Sequence, residues 1–198
     1  MEQYDKGERI NMTQYNEMTF EERQKVDRAP LPFKVYKGMG GKFGAMRMMF
    51  KRPWQNDIDR KQEGVIFIEM APATGKNIYD WENNKVKFAV GITDIGKLIN
   101  FFVNTKQYVT ENDPNTAKVE ILHDKNAGTA DKGKDIKILS ISKTKGRDSF
   151  FFGIAKKNGN TYDNISIPIG ADEAVVMLEL LKTAVSAMLA WTAIGLEE

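Results

Sequence analysis

The stretch KVKFAVGITDIGKLINFFV, residues 85–103, contains a strand pattern that runs directly into a helix pattern. In Lys85–Ile92, large apolar side chains alternate with small or cationic ones, which is the period of a strand with one buried face. Beyond this strand, apolar residues recur at the spacing of one helix face: Ile95, Leu98, Ile99, Phe102 and Val103. Thr93 is expected to cap the helix, with Asp94 favoured in its first turn by the helix dipole.

A second junction of the same kind lies near the other end of the chain. A strand pattern at Tyr162–Ile169 precedes Gly170, after which a helix is expected through about Trp191. Three further strands are expected ahead of each junction: Phe33–Gly38, Lys42–Lys51 and Gly64–Ala71, then Ala117–His123, Lys134–Lys143 and Ser149–Lys157. The repeated plan predicts an α+β fold of two β-β-β-β-α modules, residues 33–109 and 117–192, in a domain spanning 33–194.

Residues 1–32 form a polar segment ahead of this domain. They lack sustained apolar periodicity, so we expect an extension. One helical turn is expected near Thr19–Lys25, because Thr19 and Glu22 have the spacing of a capping box.

The second helix, Asp172–Trp191, is apolar on more than one face. A single stripe of about 100° suffices for a helix that packs on one sheet. Two interpretations fit the wider apolar surface: a central core helix, or a helix that packs on its own sheet and on a neighbouring subunit. We predict a homo-oligomer formed through this helix.

The composition excludes several classes of protein. Cysteine is absent, so disulfides, iron–sulfur clusters and thiolate zinc sites are excluded. No apolar run approaches the roughly 20 residues that span a bilayer. The start MEQYDKGERI has no hydrophobic signal-peptide region, and its acidic residues disfavour a transit peptide. We therefore expect a cytoplasmic protein that is not associated with a membrane.

Motifs for catalysis or cofactor binding are incomplete. The glycine cluster Gly38–Gly44 is not a phosphate loop, which needs Gly in place of Tyr36 and Ser or Thr in place of Phe43. Residues 124–135 lack the central glycine and final glutamate of a calcium loop. His123 is the one histidine, without a Ser/His/Asp arrangement around it in sequence. We expect no enzyme, no catalytic residue, no metal ligand and no cofactor.

Basic and aromatic residues are concentrated in the first half of the chain. The net charge is only +2, but residues 31–62 carry eight bases against two acids. Within residues 36–87, aromatic side chains are interleaved with lysines. The aromatics are Tyr36, Phe43, Tyr79 and Trp81, and the nearby lysines are Lys37, Lys42, Lys76, Lys85 and Lys87. Cations for phosphates and flat rings for bases are what single-strand binding requires. A solvated basic surface with core aromatics is the alternative, and Trp81, between Asp80 and Glu82, is the least core-like of these rings.

Several short blocks, taken together, resemble the Whirly family of single-stranded DNA-binding proteins. The blocks are Met70-Ala71-Pro72-Ala73-Thr74-Gly75, Tyr79-Asp80-Trp81, Val90-Gly91-Ile92-Thr93-Asp94-Ile95-Gly96, His123-Asp124-Lys125-Asn126-Ala127-Gly128, Ser166-Ile167-Pro168-Ile169 and Leu189-Ala190-Trp191. They keep the family's order over about residues 33–194. The resemblance implies two antiparallel sheets packed crosswise, with the helices bundled at the centre of a homotetramer. Strands of DNA would run along sheet edges and between subunits.

The basic and aromatic residues give a candidate nucleic-acid-binding set. Phosphate contacts are expected from Lys37, Lys42, Arg47, Lys85 and Lys87, and base stacking from Phe43, Tyr79 and Trp81. The family's first-strand motif Lys-Gly-Lys-Ala-Ala-Leu is interrupted here by Met39-Gly40-Gly41, so whether Lys37 or Lys42 takes the role of the main lysine stays open.

The leading hypothesis is protection of transient single-stranded DNA in replication, repair or recombination. An RNA-binding or RNA-annealing protein is the first alternative, because an aromatic sheet surface does not by itself exclude a 2′-hydroxyl. A structural oligomer that docks an acidic protein partner is the second alternative. A compact bacterial or viral member, in the cytoplasm of a bacterium or an infected host, is the expected source.

Overall fold

The computed structural model describes residue 19 and residues 30–38, 43–51, 64–128 and 130–194. The first half of the chain forms β1 (Pro30–Tyr36), β2 (Gly44–Lys51), β3 (Val65–Gly75), β4 (Ile78–Tyr79), β5 (Val86–Val90) and α1 (Ile92–Val103). The second half forms a 3-10 turn (Thr105–Tyr108), β6 (Val109–Thr110), β7 (Asp113–Asp124), β8 (Ile136–Thr144), β9 (Phe150–Asn158), β10 (Thr161–Ile169) and α2 (Ala171–Ile194).

The strands form two antiparallel sheets. In the first sheet the order is β1-β2-β3-β5, with the short β4 beside the far end of β3. In the second sheet the order is β10-β9-β8-β7-β6. Each half therefore contributes four principal strands followed by a helix, which confirms the predicted α+β fold with two antiparallel sheets.

One hydrophobic core joins both sheets and both helices. Alternate residues of the first sheet point into it, among them Met46, Ile68 and Phe88, and the second sheet contributes residues such as Phe152 and Ile167. Because side chains alternate across a strand, the residues between these positions form the outer face of each sheet.

Gly44 lies close both to β3 in its own sheet and to β10 in the second sheet. A Cβ atom at this position would lie 2.3 Å from the backbone oxygen of Ala71 and 3.2 Å from Cγ2 of Ile165 on β10. Only a residue without a side chain fits here, so the start of β2 depends on glycine.

The predicted strands are present, with ends that differ by a few residues. β3 continues past the predicted end at Ala71, through Pro72 to Gly75. Proline has no backbone N–H to donate to a neighbouring strand. On the side of β3 that faces β5 this does no harm, because β5 pairs only with Ile66–Met70 and ends before Pro72. Lys42, predicted to begin β2, lies outside the described residues, as does the predicted helical turn at Thr19–Lys25 except for Thr19 itself.

The prediction that Thr93 caps the first helix is wrong. The helix begins at Ile92, and Gly91 occupies the N-cap with φ −80° and ψ 175° and without a side-chain hydrogen bond. The carbonyl of Gly91 accepts the first helical hydrogen bond, from the N–H of Ile95 at 2.9 Å. Thr93 is therefore already inside the first turn, with Asp94 beside it as predicted.

α2 buries one stripe and leaves apolar side chains outside it. The buried residues recur at alternating intervals of three and four: Ala174, Met177, Leu181, Ala184 and Met188. Val175, Val176 and Leu189 are exposed by more than half. The stripe accounts for packing within the chain, and the exposed residues lie on surface that the described part of the chain does not cover.

None of the helices in the described ranges is long and apolar enough to span a membrane.

Candidate nucleic-acid interface

The outer face of the first sheet carries a row of charged side chains across four strands. The register aligns Lys34 on β1 with Arg47 on β2, Arg47 with Glu69 on β3, and Glu69 with Lys87 on β5. Side chains directly opposite each other on one face lie within contact distance. We call Lys34, Arg47, Glu69 and Lys87 the charged row.

Glu69 is buried at the centre of the charged row, with only 3% of its surface exposed. The Nε and Nη2 atoms of Arg47 each lie 2.7 Å from the same oxygen, Oε2 of Glu69. The ammonium of Lys85 lies 3.9 Å from that oxygen. A carboxylate taken out of water needs such paired donors, so Arg47 is held against Glu69 by charge and by hydrogen bonds.

Trp81 lies over the charged row. The Cζ atom of Arg47 is 4.7 Å from the centroid of the Trp81 ring, within the range of a cation–π contact. The turn that carries Trp81 is ordered by Asp80, whose carboxylate accepts hydrogen bonds from the backbone N–H of Asn83 and the side-chain amide of Asn84. The hydrogen bond from the Asn83 backbone, followed by that from Asn84, lowers the pKa of Asp80. The turn thus positions Trp81, and Arg47 contacts its ring.

Lys87 makes a second cation–π contact on the same face. Its Nζ atom lies 3.5 Å from the centroid of the Phe67 ring on the neighbouring strand. Its backbone carbonyl accepts a hydrogen bond from Nζ of Lys137 on β8 at 3.1 Å. The first sheet is therefore tied to the second at the strand that carries Lys87.

Aromatic rings gather at one end of this face. The rings of Tyr36 and Tyr79 are 5.5 Å apart, and the Tyr79 hydroxyl accepts a hydrogen bond from the N–H of Gly38 at 3.0 Å. Phe43 is partly exposed with φ 64°, a left-handed backbone conformation uncommon for a bulky residue. Its carbonyl accepts a hydrogen bond from Ala73, the residue paired with Tyr79. Phe43 therefore lies at the same end of the sheet as the tyrosines.

Comparison with known proteins assigns the chain to a family. The profile of the family described as Whirly transcription factor matches residues 35–180. The chain belongs to the Whirly family.

Two curated relatives of this Whirly chain are plant proteins. It is 25% identical over 166 residues to the single-stranded DNA-binding protein WHY1, chloroplastic, of Solanum tuberosum. The aligned region covers 80% of this chain and 54% of that relative. The chain spans about half the length of the curated relatives it matches. These relatives do not support the expected bacterial or viral source.

Solved structures share the fold. The structure of the plant transcriptional regulator PBF-2 has a TM-score of 0.65 at 26% identity, covering 86% of this chain and 89% of that one. The crystal structure of WHY1 from Arabidopsis thaliana has a TM-score of 0.64 at 24% identity, covering 85% and 90%.

The structure brings some of the predicted site residues together and separates others. Arg47, Trp81, Lys85 and Lys87 share one face of the first sheet, with Tyr79 and Phe43 at its end. Lys37 follows β1 and forms an ion pair with Glu173 on α2, with Nζ 2.9 Å from Oε1. Lys37 is therefore engaged with the start of α2, away from the charged row. Lys42 lies outside the described residues.

Several residues of this face are absent from the set predicted from the sequence. Glu69 is the one acidic residue within the apolar run of β3. This isolated acid could be recognised in the sequence, but its partner Arg47 could not. Lys34 and Phe67 became recognisable only through the pairing of β1, β2, β3 and β5. The contact of Tyr36 with Tyr79 also depends on this pairing and is not predictable from the local sequence.

His123 has partners that connect elements of the core. Its Nε2 lies 2.9 Å from Oδ2 of Asp94 on α1, and its ring stacks on Phe88 with centroids 4.3 Å apart. These contacts join the end of β7 to the start of α1.

Proposed function

We propose that this Whirly chain binds single-stranded DNA without catalysis and with little dependence on base sequence. The observation that carries the proposal is the outer face of the first sheet. There Arg47 contacts the Trp81 ring, and Lys85 and Lys87 lie beside Glu69 on the same face. Two curated relatives at 25% and 27% identity are named single-stranded DNA-binding proteins, which supports the same conclusion.

The chemistry of the face favours an unpaired strand. Ammonium and guanidinium groups attract phosphates of any sequence. An aromatic ring stacks on any base, but the bases of a duplex are already stacked on one another. Trp81 and Tyr79 are only half-buried, so both rings have surface that a base can cover. The face therefore combines affinity for the backbone with a preference for exposed bases.

We propose that Lys37 and Lys42 supply further phosphate contacts. The ammonium of Lys37 is paired with Glu173 at 2.9 Å, and its side chain is partly exposed, so it would contact a phosphate from the exposed side. The weight of binding is expected on Arg47, Lys85 and Lys87.

We propose a homotetramer formed through Asp172–Trp191. The exposed side chains of Val175, Val176 and Leu189 support this assembly, because a second copy that covers them removes apolar surface from water. Light scattering at micromolar concentration is expected to give four times the mass of the chain, and a monomer would contradict the proposal.

Protection of transient single strands in replication, repair or recombination is the role we propose for this activity. A cytoplasmic location stays a prediction from the sequence; the curated relatives are named chloroplastic.

Fluorescence anisotropy with single-stranded DNA, duplex DNA and RNA at two salt concentrations tests the proposal. Single-stranded DNA is expected to bind most tightly, and log affinity is expected to fall by roughly 0.7 per phosphate contact for each log unit of salt. Equal affinity for the duplex, or binding that salt does not weaken, would contradict it. Tighter binding of RNA than of DNA would favour the RNA alternative.

A further inference from the structure

Glu69 presents an electrostatic difficulty for a surface that is proposed to bind a polyanion. It is the one charged residue buried in the part of the chain that the structure describes. Its carboxylate lowers the positive potential of the charged row, and burial of any charge is unfavourable without partners. A residue that opposes phosphate binding by its charge needs another reason to be at the centre of the face.

The geometry around Glu69 supplies that reason. Two nitrogens of Arg47 reach the same oxygen of Glu69 at 2.7 Å, which fixes the orientation of the guanidinium plane. The fixed guanidinium then lies 4.7 Å from the centroid of the Trp81 ring. Lys85, at the end of the turn that carries Trp81, is drawn to the same oxygen at 3.9 Å.

We propose that Glu69 is a positioning residue that holds Arg47 against one face of Trp81, so that the rest of the indole ring is presented to an unpaired base. This inference rests on the proposed function and goes further, because it assigns the stacking platform to a set of three residues. A guanidinium that cannot leave also keeps that ring face closed, which limits stacking to one base at this position.

The proposal and a purely electrostatic view predict opposite effects of Glu69→Gln. The substitution removes a negative charge from the face, so charge alone predicts tighter binding of single-stranded DNA. Loss of the fixed guanidinium predicts weaker binding, by about tenfold, since stacking is worth about 1–3 kcal/mol per base and 1.4 kcal/mol is a factor of ten. The salt dependence is expected to stay that of the wild type, because no phosphate contact is removed.

Arg47→Lys provides an independent test in case Glu69→Gln does not fold. It keeps the charge and a cation beside Glu69, but an ammonium has no plane to hold against the indole. We expect a similar loss of affinity, and the double variant is expected to bind no more weakly than the weaker single variant, because the two residues act together.

The matched controls are on the second sheet. Glu120 is half-exposed on β7, and Arg147 is exposed in the β8–β9 turn. Glu120→Gln and Arg147→Lys make the same chemical changes and are expected to leave affinity within about twofold of the wild type.

Photocrosslinking provides the structural measurement. A single-stranded oligonucleotide with 5-bromouracil is expected to crosslink to Trp81 in the wild type, with a yield reduced severalfold in Glu69→Gln and Arg47→Lys. Unchanged or tighter binding in both variants, with an unchanged crosslink, would overturn the positioning role of Glu69. Failure of the wild type to bind any single strand would instead overturn the proposed function.

Discussion

The two sheets have the same arrangement of strands, but the outer face of the first carries a charged row and the central rows of the second are mostly uncharged. Across the first sheet, one outer row reads Lys34, Arg47, Glu69 and Lys87. Across the second sheet, an outer row reads Glu120, Ser140, Gly153 and Ser166, and the next reads Leu122, Ile138, Ala155 and Asn164. The inner faces of both are aliphatic and aromatic and join one core. The shared architecture alone therefore does not create the proposed binding surface, which depends on the residues at outward positions.

Glycines at close contacts within each sheet are expected to give the largest effect. Gly44→Ala places a methyl group 2.3 Å from a backbone oxygen of β3, so the backbone must move. We expect the free energy of unfolding to fall by about 3 kcal/mol, measured by urea denaturation. Gly153→Ala on the second sheet meets the rotatable Ser140 hydroxyl at 3.2 Å and is expected to cost about 1 kcal/mol or less. Equal losses would show that the sheets tolerate added volume alike.

Removal of the indole should separate the two outer faces most clearly in binding. Trp81→Ala is expected to weaken binding of single-stranded DNA by about tenfold or more, because a stacked base loses its platform. Tyr162→Ala removes an exposed aromatic from the second sheet and serves as the control. Anisotropy titrations measure both. If Tyr162→Ala costs as much, both outer faces bind nucleic acid and the contrast between them fails.

Lysines on the two sheets should differ in their contribution to salt dependence. Lys85→Gln with Lys87→Gln is expected to reduce the slope of log affinity against log salt by about 1.4, the value for two phosphate contacts on a single strand. Lys118→Gln with Lys145→Gln makes the same change of charge on the second sheet and its turn. A slope that falls equally in both pairs would mean that net charge, and not the first sheet, governs binding.

The turn that carries Trp81 is expected to give the smallest effect. Asp80→Ala removes the acceptor for Asn83 and Asn84 and is expected to weaken binding about twofold. Asp163→Ala removes a comparable hydrogen bond to the Asn158 amide on the second sheet and is expected to leave affinity unchanged.

The same turn should respond to acid in a defined direction. The pKa of Asp80 is lowered in the folded chain, so its carboxylate stabilises the turn above the ordinary pKa of 3.8, and this stabilisation is lost as pH falls through the lowered value. Trp81 emission, measured with Trp54 and Trp191 replaced by Phe, is expected to stay constant from pH 7 to pH 5 and to change only in stronger acid. A change already at pH 6 would contradict this assignment.

The sequence was sufficient for the elements and insufficient for the site geometry. Alternation of apolar and polar side chains predicted β5, and recurring apolar residues on more than one helix face predicted α2. Both patterns are local along the chain, so they can be recognised without knowledge of the fold. The charged row depends on pairing between segments far apart in sequence, with an irregularity of register between Pro30 and Lys34. Alternation along β1 places Lys37 with Phe33 and Val35, on the face opposite Lys34. Its partner Glu173 lies in the other half of the chain, so no local pattern identified that ion pair.

The hydrogen bond from the ammonium of Lys137 to the carbonyl of Lys87 affects how the edge of the first sheet can meet another copy of the chain. β5 is the outermost long strand on its side of the first sheet, and an open strand edge is a template for pairing with another chain. A side chain from β8 occupies that acceptor, and a charge is placed beside it. Pairing of this edge with the same edge of another copy is therefore disfavoured at Lys87, because its acceptor is already used and a positive charge lies beside it.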